Sequence, residues 1–98
     1  MLRYSVFCSG EPLDVSLHLR DVHIEMNEEL VQFLISDAWD GREFCTKWIT
    51  RWENILFCMQ ENPCLSGKDL LEANIYIRNR IITICATFGC EDLCKKYL

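Results

Sequence analysis

Residues Asp40–Pro63, which read DGREFCTKWITRWENILFCMQENP, carry the clearest secondary-structure signal in the chain. Their apolar residues recur at helical spacing and, at about 100° per residue, fall within an arc of about 140° with polar side chains opposite. Asp40 is a typical N-cap, Glu43 completes a capping box, and Asn62-Pro63 is a stop signal. The stretch therefore predicts an amphipathic helix from Gly41 to Glu61. The apolar arc contains Phe44, Cys45, Trp48, Ile49, Trp52, Ile55, Leu56 and Met59.

The N-terminal third of the chain predicts β-structure. Leu2 to Cys8 alternate apolar and polar residues, and a cluster of turn formers, Ser9 to Pro12, follows. Leu13 to Met26 also keep a period of two, which slips at Arg20-Asp21 as in a strand with a bulge or in two strands that meet there. A helix is the alternative for this second segment, because one helical stripe would hold Val15, Leu19, Val22 and Met26.

The C-terminal third is dense in isoleucine and threonine, which are typical of strands. It predicts a hairpin of two strands, Asn74 to Ile77 and Arg80 to Phe88, preceded by a helix of one or two turns that Ser66 caps. A helix is again the alternative, because a heptad stripe would hold Ile77, Ile81, Ile84 and Phe88. Cys90 to Leu98 predicts a final short helix with acidic residues at its start and lysines near its end.

A helical hairpin is predicted between these two regions. Asn27 is a candidate N-cap for a helix from Glu28 to about Trp39, and Asp40-Gly41 separates that helix from the central one. Together, the elements predict a small single-domain α+β fold over residues 1–98. In this fold, an antiparallel sheet from the N- and C-terminal hairpins packs on the central helical hairpin.

Composition and charge exclude several classes of function. The net charge is −5 with no basic block, which disfavours nucleic-acid binding, and no apolar run approaches the roughly 18 residues of a membrane span. We therefore expect a soluble intracellular protein that binds neither nucleic acid nor membrane. The seven cysteines are odd in number and several lie on apolar faces, which predicts reduced, mostly buried thiols.

No catalytic, cofactor-binding or metal-binding residue is predicted. Cys85, Cys90 and Cys94 have spacings of five and four, which differ from the short cysteine pairs of structural zinc sites. No glycine-rich phosphate loop is present. Only Cys90, which could open the last helix near its positive dipole end, has a feature of an activated thiol, and a packing role is the expectation there too. We expect a non-enzymatic protein, with a zinc- or thiol-dependent regulator as the alternative hypothesis.

Phe57 is the anomalous residue of the central helix. It projects about 220° from Phe44, in the middle of the polar side, where it would meet either a third layer of the core or a partner protein. Trp39 and Trp52 could extend such an interface, since tryptophan is a common interface anchor. We therefore predict a protein-interaction surface at Phe57, Trp39 and Trp52 and a homodimer or larger assembly. On this hypothesis, Phe57→Glu leaves the monomer folded and abolishes association.

Short motifs near both ends of the chain carry a family resemblance. They are Tyr4-Ser5-Val6, Leu17-His18-Leu19 with Asp21, Val22 and Ile24, Phe33-Leu34, and the predicted strand Ile81–Gly89. These motifs resemble the small early-region-four proteins of adenoviruses. The resemblance implies a non-enzymatic viral accessory protein, expressed early, that binds host regulatory proteins and self-assembles.

A second resemblance concerns the middle and the end of the chain. Phe33-Leu34, the helix from Trp52 to Met59, and Asp92-Leu93 are similar to the layout of death-effector domains. This likeness implies an all-α six-helix death-fold bundle that acts as an adaptor or decoy in apoptotic or innate signalling. Cys90 stands where that family has an arginine, so the charged self-association motif of the family is not complete here.

Overall fold

The computed structural model of the chain describes residues 14–36 and 40–98. In chain order these form α1 (Val15–Ile35), α2 (Gly41–Gln60), α3 (Gly67–Phe88) and a 3-10 helix (Glu91–Tyr97). Within these ranges no residue lies in a β-strand. The prediction of an α+β fold is therefore wrong, and an all-α architecture describes this part of the chain.

The α2 helix confirms the helix and the N-cap predicted for the central stretch, but Glu43 does not complete the predicted capping box. The Asp40 carboxylate accepts hydrogen bonds from the backbone N–H groups of Arg42 at 3.0 Å and Glu43 at 3.4 Å, so it caps the first turn. At the other end, the side chain of Asn62 accepts a hydrogen bond from the backbone N–H of Cys64 at 2.8 Å and closes the turn around Pro63. The apolar arc of this helix is the centre of the core.

The α1 helix replaces the predicted strand with a bulge. Its buried residues include the stripe that the helical alternative specified, Val15, Leu19, Val22 and Met26. Asp14 caps the helix by accepting from the backbone N–H of Leu17 at 3.0 Å. Asn27, predicted as an N-cap, lies inside α1, so the predicted helix start at Glu28 is wrong. Leu17 and Ile24, which completed the period-two pattern, are exposed on the other side of the helix.

The α3 helix replaces the predicted C-terminal hairpin. The N-cap predicted at Ser66 is confirmed. It forms a capping box, because the Ser66 hydroxyl accepts from the Asp69 N–H at 3.1 Å and the Asp69 carboxylate accepts from the Ser66 N–H at 3.3 Å. The helix then continues through the whole segment. The isoleucine stripe is buried along its length, at Ile77, Ile81 and Ile84. The Thr87 hydroxyl donates to the backbone carbonyl of Thr83, four residues earlier, at 2.9 Å. This side-chain hydrogen bond fits helix geometry, so the β-branched threonine is compatible with the helix.

Gly89 ends α3 and turns the chain into the 3-10 helix. Its φ of 68° lies in the left-handed region, which glycine adopts without steric cost. The Gly89 N–H donates to the Ala86 carbonyl and the Cys90 N–H donates to the Cys85 carbonyl at 2.8 Å, the pattern of a Schellman motif. The predicted short helix at the C-terminus is confirmed as the 3-10 helix.

The core is built on α3, which packs against α2, α1 and the 3-10 helix. Phe44 on α2 lies at the junction, with ring centroids 4.8 Å from Phe33 on α1 and 5.8 Å from Phe88 on α3. Where α2 begins, a Cβ atom on Gly41 would lie only 2.6 Å from the Phe88 ring. The absence of a side chain at Gly41 therefore allows α2 to start directly against α3. The strand predicted from Leu2 to Cys8 lies outside the described residues.

Candidate functional site

Polar contacts fix one side of α1 against α2. Arg51 on α2 donates from one guanidinium nitrogen to both carboxylate oxygens of Glu25, at 2.9 and 3.0 Å. One turn along, Glu29 accepts from the Lys47 ammonium and from the Trp48 indole N–H, the latter at 3.3 Å. These contacts, together with the core packing on α3, set which face of α1 points away from the rest of the fold.

That outward face of α1 is apolar. Leu17, Ile24, Val31 and Ile35 are 47%, 49%, 54% and 71% exposed, and they are separated by seven, seven and four residues. At about 100° per residue, these positions fall within about 40° of one another and lie opposite the buried stripe. We call Leu17, Ile24, Val31 and Ile35 the outer stripe. An apolar row of this kind on a helix surface is more than the scattered single residues that a protein surface normally carries.

The outer stripe has a different charge pattern on each flank. Arg20 and Asn27 lie along one flank of the outer stripe, and Asp21 and Glu28 lie along the other. Within residues 14–36 and 40–98, the ion pairs that form do not involve Arg20, Asp21 or Glu28. These three charges therefore remain available to groups outside the domain.

The three predicted interface residues have different positions. Phe57 is 60% exposed on the outer side of α2, so it belongs to the surface and not to a third core layer. Trp52 is fully buried in the core, which removes it from the predicted interface. Trp39 lies outside the described residues. Phe57 is thus a single exposed aromatic on a polar face, and isolated residues of this kind are common on protein surfaces.

Reasoning from sequence missed the outer stripe. The heptad spacing of Leu17, Ile24 and Val31 was a signal that could have found it, since residues seven apart share a helix face. The same residues also completed the alternating pattern of a strand. The stripe became visible only when the buried positions of α1 were known.

Four buried cysteines are free and come together where α2, α3 and the 3-10 helix meet: Cys45, Cys85, Cys90 and Cys94. Burial and the neighbouring Cys90 raise the pKa of Cys45 to about 11. Burial and the neighbouring Cys94 raise the pKa of Cys85 to about 12. These two thiols are protonated at neutral pH, and a protonated thiol is a poor nucleophile and a poor metal ligand.

The hydrogen bonds of the thiols are consistent with a packing role. The Cys45 thiol points at the Ile84 carbonyl at 3.6 Å, and the Cys94 thiol points at the Glu91 carbonyl at 3.3 Å. Among the described residues, no group of three or more histidine, cysteine, aspartate or glutamate side chains is arranged to hold a metal ion. Cys58 differs from the predicted reduced state, because it is disulfide-bonded.

Ion pairs fasten the 3-10 helix to α2. Lys96 pairs with Glu53 at 2.6 Å, and the Tyr97 hydroxyl donates to the same carboxylate. Burial opposes ionisation of Glu53, but the hydrogen bonds from Lys96 and Tyr97 outweigh it and lower the pKa of this carboxyl. Arg42 and Asp92 form a two-bond pair, with nitrogen–oxygen distances of 2.6 and 3.2 Å.

No helix within the described ranges is both long enough and apolar enough to cross a membrane. Those ranges contain three α-helices and one 3-10 helix, fewer than the six helices of a death-effector domain. The segments that resemble adenoviral early-region-four proteins, predicted as strands near Leu17 and Ile81, lie in α1 and α3. Compared with protein-family models, curated proteins and solved structures, the chain shows no significant match.

Proposed function

We propose that this chain is a non-enzymatic protein–protein interaction module that self-associates through the outer stripe of α1. The observation that carries the proposal is the alignment of Leu17, Ile24, Val31 and Ile35 on the side of α1 opposite the core. Covering these side chains removes apolar surface from water, which is the main driving force of association. Two faces of one helix are then used, one for folding and one for contact.

The charges beside the outer stripe favour a second copy of the chain as the occupant. In a symmetric dimer, the same patch meets itself, so the patch must be self-complementary. Arg20 lies on one flank and Asp21 on the other, at nearly the same level of the helix. The cation Arg20 of each copy can therefore lie opposite the anion Asp21 of the other copy.

This pattern also specifies the orientation of the two helices. In a parallel pair, each residue lies level with the same residue of the second copy. The twofold symmetry places one flank of the outer stripe opposite the other flank of the second copy, so Arg20 faces Asp21 of that copy. In an antiparallel pair centred on Ile24, Asp21 would instead lie beside Glu28 of the second copy, and two carboxylates would repel each other. The parallel arrangement is therefore the one that the charges favour.

A contact made by one helix from each copy is small, so we expect a weak dimer with a dissociation constant on the order of 1 μM or higher. The resemblance to adenoviral early-region-four proteins adds a viral accessory role with host regulatory proteins as further partners. The resemblance to death-effector domains supplies the alternative, an adaptor that assembles with its own kind. Phe57 is a candidate contact for a host protein.

Light scattering after size-exclusion chromatography, over a series of protein concentrations, tests the proposal. Ile24→Glu places an unpaired charge at the centre of the contact and should weaken association about tenfold or more. Because Ile24 is already 49% exposed, the monomer should stay folded. The matched control is Leu71→Glu, which changes a 62% exposed leucine on α3 and should leave association unchanged.

Phe57→Glu decides between the two exposed surfaces. If the outer stripe forms the dimer, this variant stays folded and dimerises like the wild type. If Phe57→Glu abolishes the dimer while Ile24→Glu does not, the contact lies on α2 and the proposal is wrong.

A further inference from the structure

A small groove between α1 and α3 has unusual polar lining. Its volume is about 90 Å³, and its polar lining residues are His23, Asn27, Arg80, Thr83 and Thr87. An internal water needs roughly 10–15 Å³ by a comparable measure, so the groove has room for a small polyatomic ion. None of the described residues that line it is acidic.

Arg80 is the only fully charged side chain among these lining residues, and it has no carboxylate partner in the described part of the chain. Its Nε–H is inaccessible to water and makes no hydrogen bond. Its Nη1 lies 3.5 Å from Nε2 of His23, a long contact. By contrast, Arg42 and Arg51 each pair with a carboxylate. A partly buried guanidinium without a counter-charge is costly, since burial removes its hydration.

Tyr76 holds Arg80 and His23 in place. The guanidinium carbon of Arg80 lies 5.3 Å from the centre of the Tyr76 ring, and the Tyr76 hydroxyl lies 3.2 Å from Nδ1 of His23. The Tyr76 ring also packs against the fully buried Trp52, with centroids 6.2 Å apart. The three polar side chains therefore rest on the core and not on a mobile loop, so their geometry is set before any ligand arrives.

The electrostatics of the groove favour an anion. Burial, and to a smaller extent the charge of Arg80, lower the pKa of His23, so the imidazole is neutral at pH 7. Among the lining residues that the structure describes, no carboxylate opposes the field of Arg80. An arriving oxyanion would meet the guanidinium, the Asn27 amide and the Thr83 hydroxyl, which are hydrogen-bond donors of the kind that hold carboxylate and phosphate groups.

We propose that the groove between α1 and α3 is a binding site for an oxyanion group, held by Arg80 and positioned by Tyr76 and His23. A carboxylate and a phosphate share this chemistry, and the groove would take either group from a small molecule or from an acidic side chain of a peptide. Asn27 lines the groove and also lies on one flank of the outer stripe, but Arg80 and Tyr76 belong to α3, so anion binding does not require the proposed dimer.

Nuclear magnetic resonance of the two histidine side chains gives a direct test. Inorganic phosphate, added to the full chain at constant ionic strength against chloride, should shift the His23 ring resonances in a saturable way and raise the pKa of His23. His18 lies on the buried side of α1 and serves as the internal reference. Acetate in place of phosphate distinguishes a preference for carboxylate from a preference for phosphate. If phosphate and acetate shift the His23 resonances no more than chloride does, and without saturation, the proposal is wrong.

Arg80→Met identifies the residue that binds the anion. Loss of charge-assisted hydrogen bonds should weaken phosphate binding about tenfold or more, while the thermal midpoint without phosphate stays level or rises because an unpaired cation is removed. The control Lys68→Met removes one positive charge from the same helix about 18 Å away and should leave binding unchanged. If Arg80→Met does not fold, Arg80→Lys decides, because lysine keeps the charge without the planar fork. Phosphate binding of wild-type strength in Arg80→Lys would contradict the assigned role of the guanidinium.

Discussion

Val22 and Ile24 lie on opposite sides of α1, with Val22 buried at 1% exposure and Ile24 exposed at 49%. Both are aliphatic, and both lie near the middle of the helix. The helix therefore has an apolar face that holds the domain together and a second apolar face that the domain does not cover. This relationship separates the effect of a mutation on stability from its effect on association.

Alanine substitutions at these two positions should have different consequences. Val22→Ala removes buried methyl groups and should lower the free energy of unfolding by about 1–3 kcal/mol. Ile24→Ala should change the unfolding free energy of the monomer by less than about 0.5 kcal/mol, because the side chain is largely in water. Urea denaturation at low protein concentration measures both. Equal effects from the two variants would contradict the assignment of the faces of α1.

Gly89 should tolerate no other residue well. Gly89→Ala forces an L-residue into the left-handed region and should lower the free energy of unfolding by about 1–2 kcal/mol. Gly67→Ala is the matched control, since a Cβ atom there meets nothing within 4 Å and the position opens α3. We expect this control to be neutral or to stabilise by about 0.5 kcal/mol. Thermal denaturation of the two variants side by side would show whether α3 ends as described.

Acid should loosen the 3-10 helix through Glu53. The pKa of Glu53 is lower in the folded chain than its ordinary value of 4.5, so the unfolded state binds a proton more readily. The stabilisation is therefore fully present above about pH 4.5 and is lost as the pH falls through the lower folded value. Glu53→Gln should reduce the dependence of the thermal midpoint on pH below 4.5. The control Glu72→Gln removes an exposed carboxylate from α3 that forms no ion pair with a described residue, and it should retain the wild-type profile.

How much of the fold could be predicted depended on whether the signals were local. Asp40 and Ser66 mark helix starts through contacts within one turn, and both were predicted as N-caps. Gly89 ends a helix, whereas the segment before it was predicted as a strand. The strands predicted over α3 were wrong because β-branched residues have only a weak preference for strands, which tertiary packing overrides. In α1 the error had a specific cause, since Leu17 and Ile24 belong to the outer stripe and made a helix with two apolar faces look like an alternating strand.

The candidate sites were harder to predict than the helices. Burial of Trp52 and exposure of Phe57 depend on how α2 packs, although the helical arc already set Phe57 apart. The groove at Arg80 could not be found from sequence, because His23 and Arg80 are 57 residues apart and meet only when α1 packs on α3. No short motif links an arginine and a histidine at such a distance.

The most direct test of the parallel contact uses two charge variants of the outer stripe. In Arg20→Asp, positions 20 and 21 of each helix both carry a carboxylate, and in Asp21→Arg both carry a guanidinium group. Two copies of the same variant should therefore repel each other and remain monomeric. When the two variants are mixed in equal amounts, every facing pair has opposite charges, and sedimentation equilibrium should detect a one-to-one heterodimer whose affinity falls with added salt. A mixture that stays monomeric, or an Asp21→Arg variant that associates more strongly alone than the wild type does, would contradict the parallel dimer.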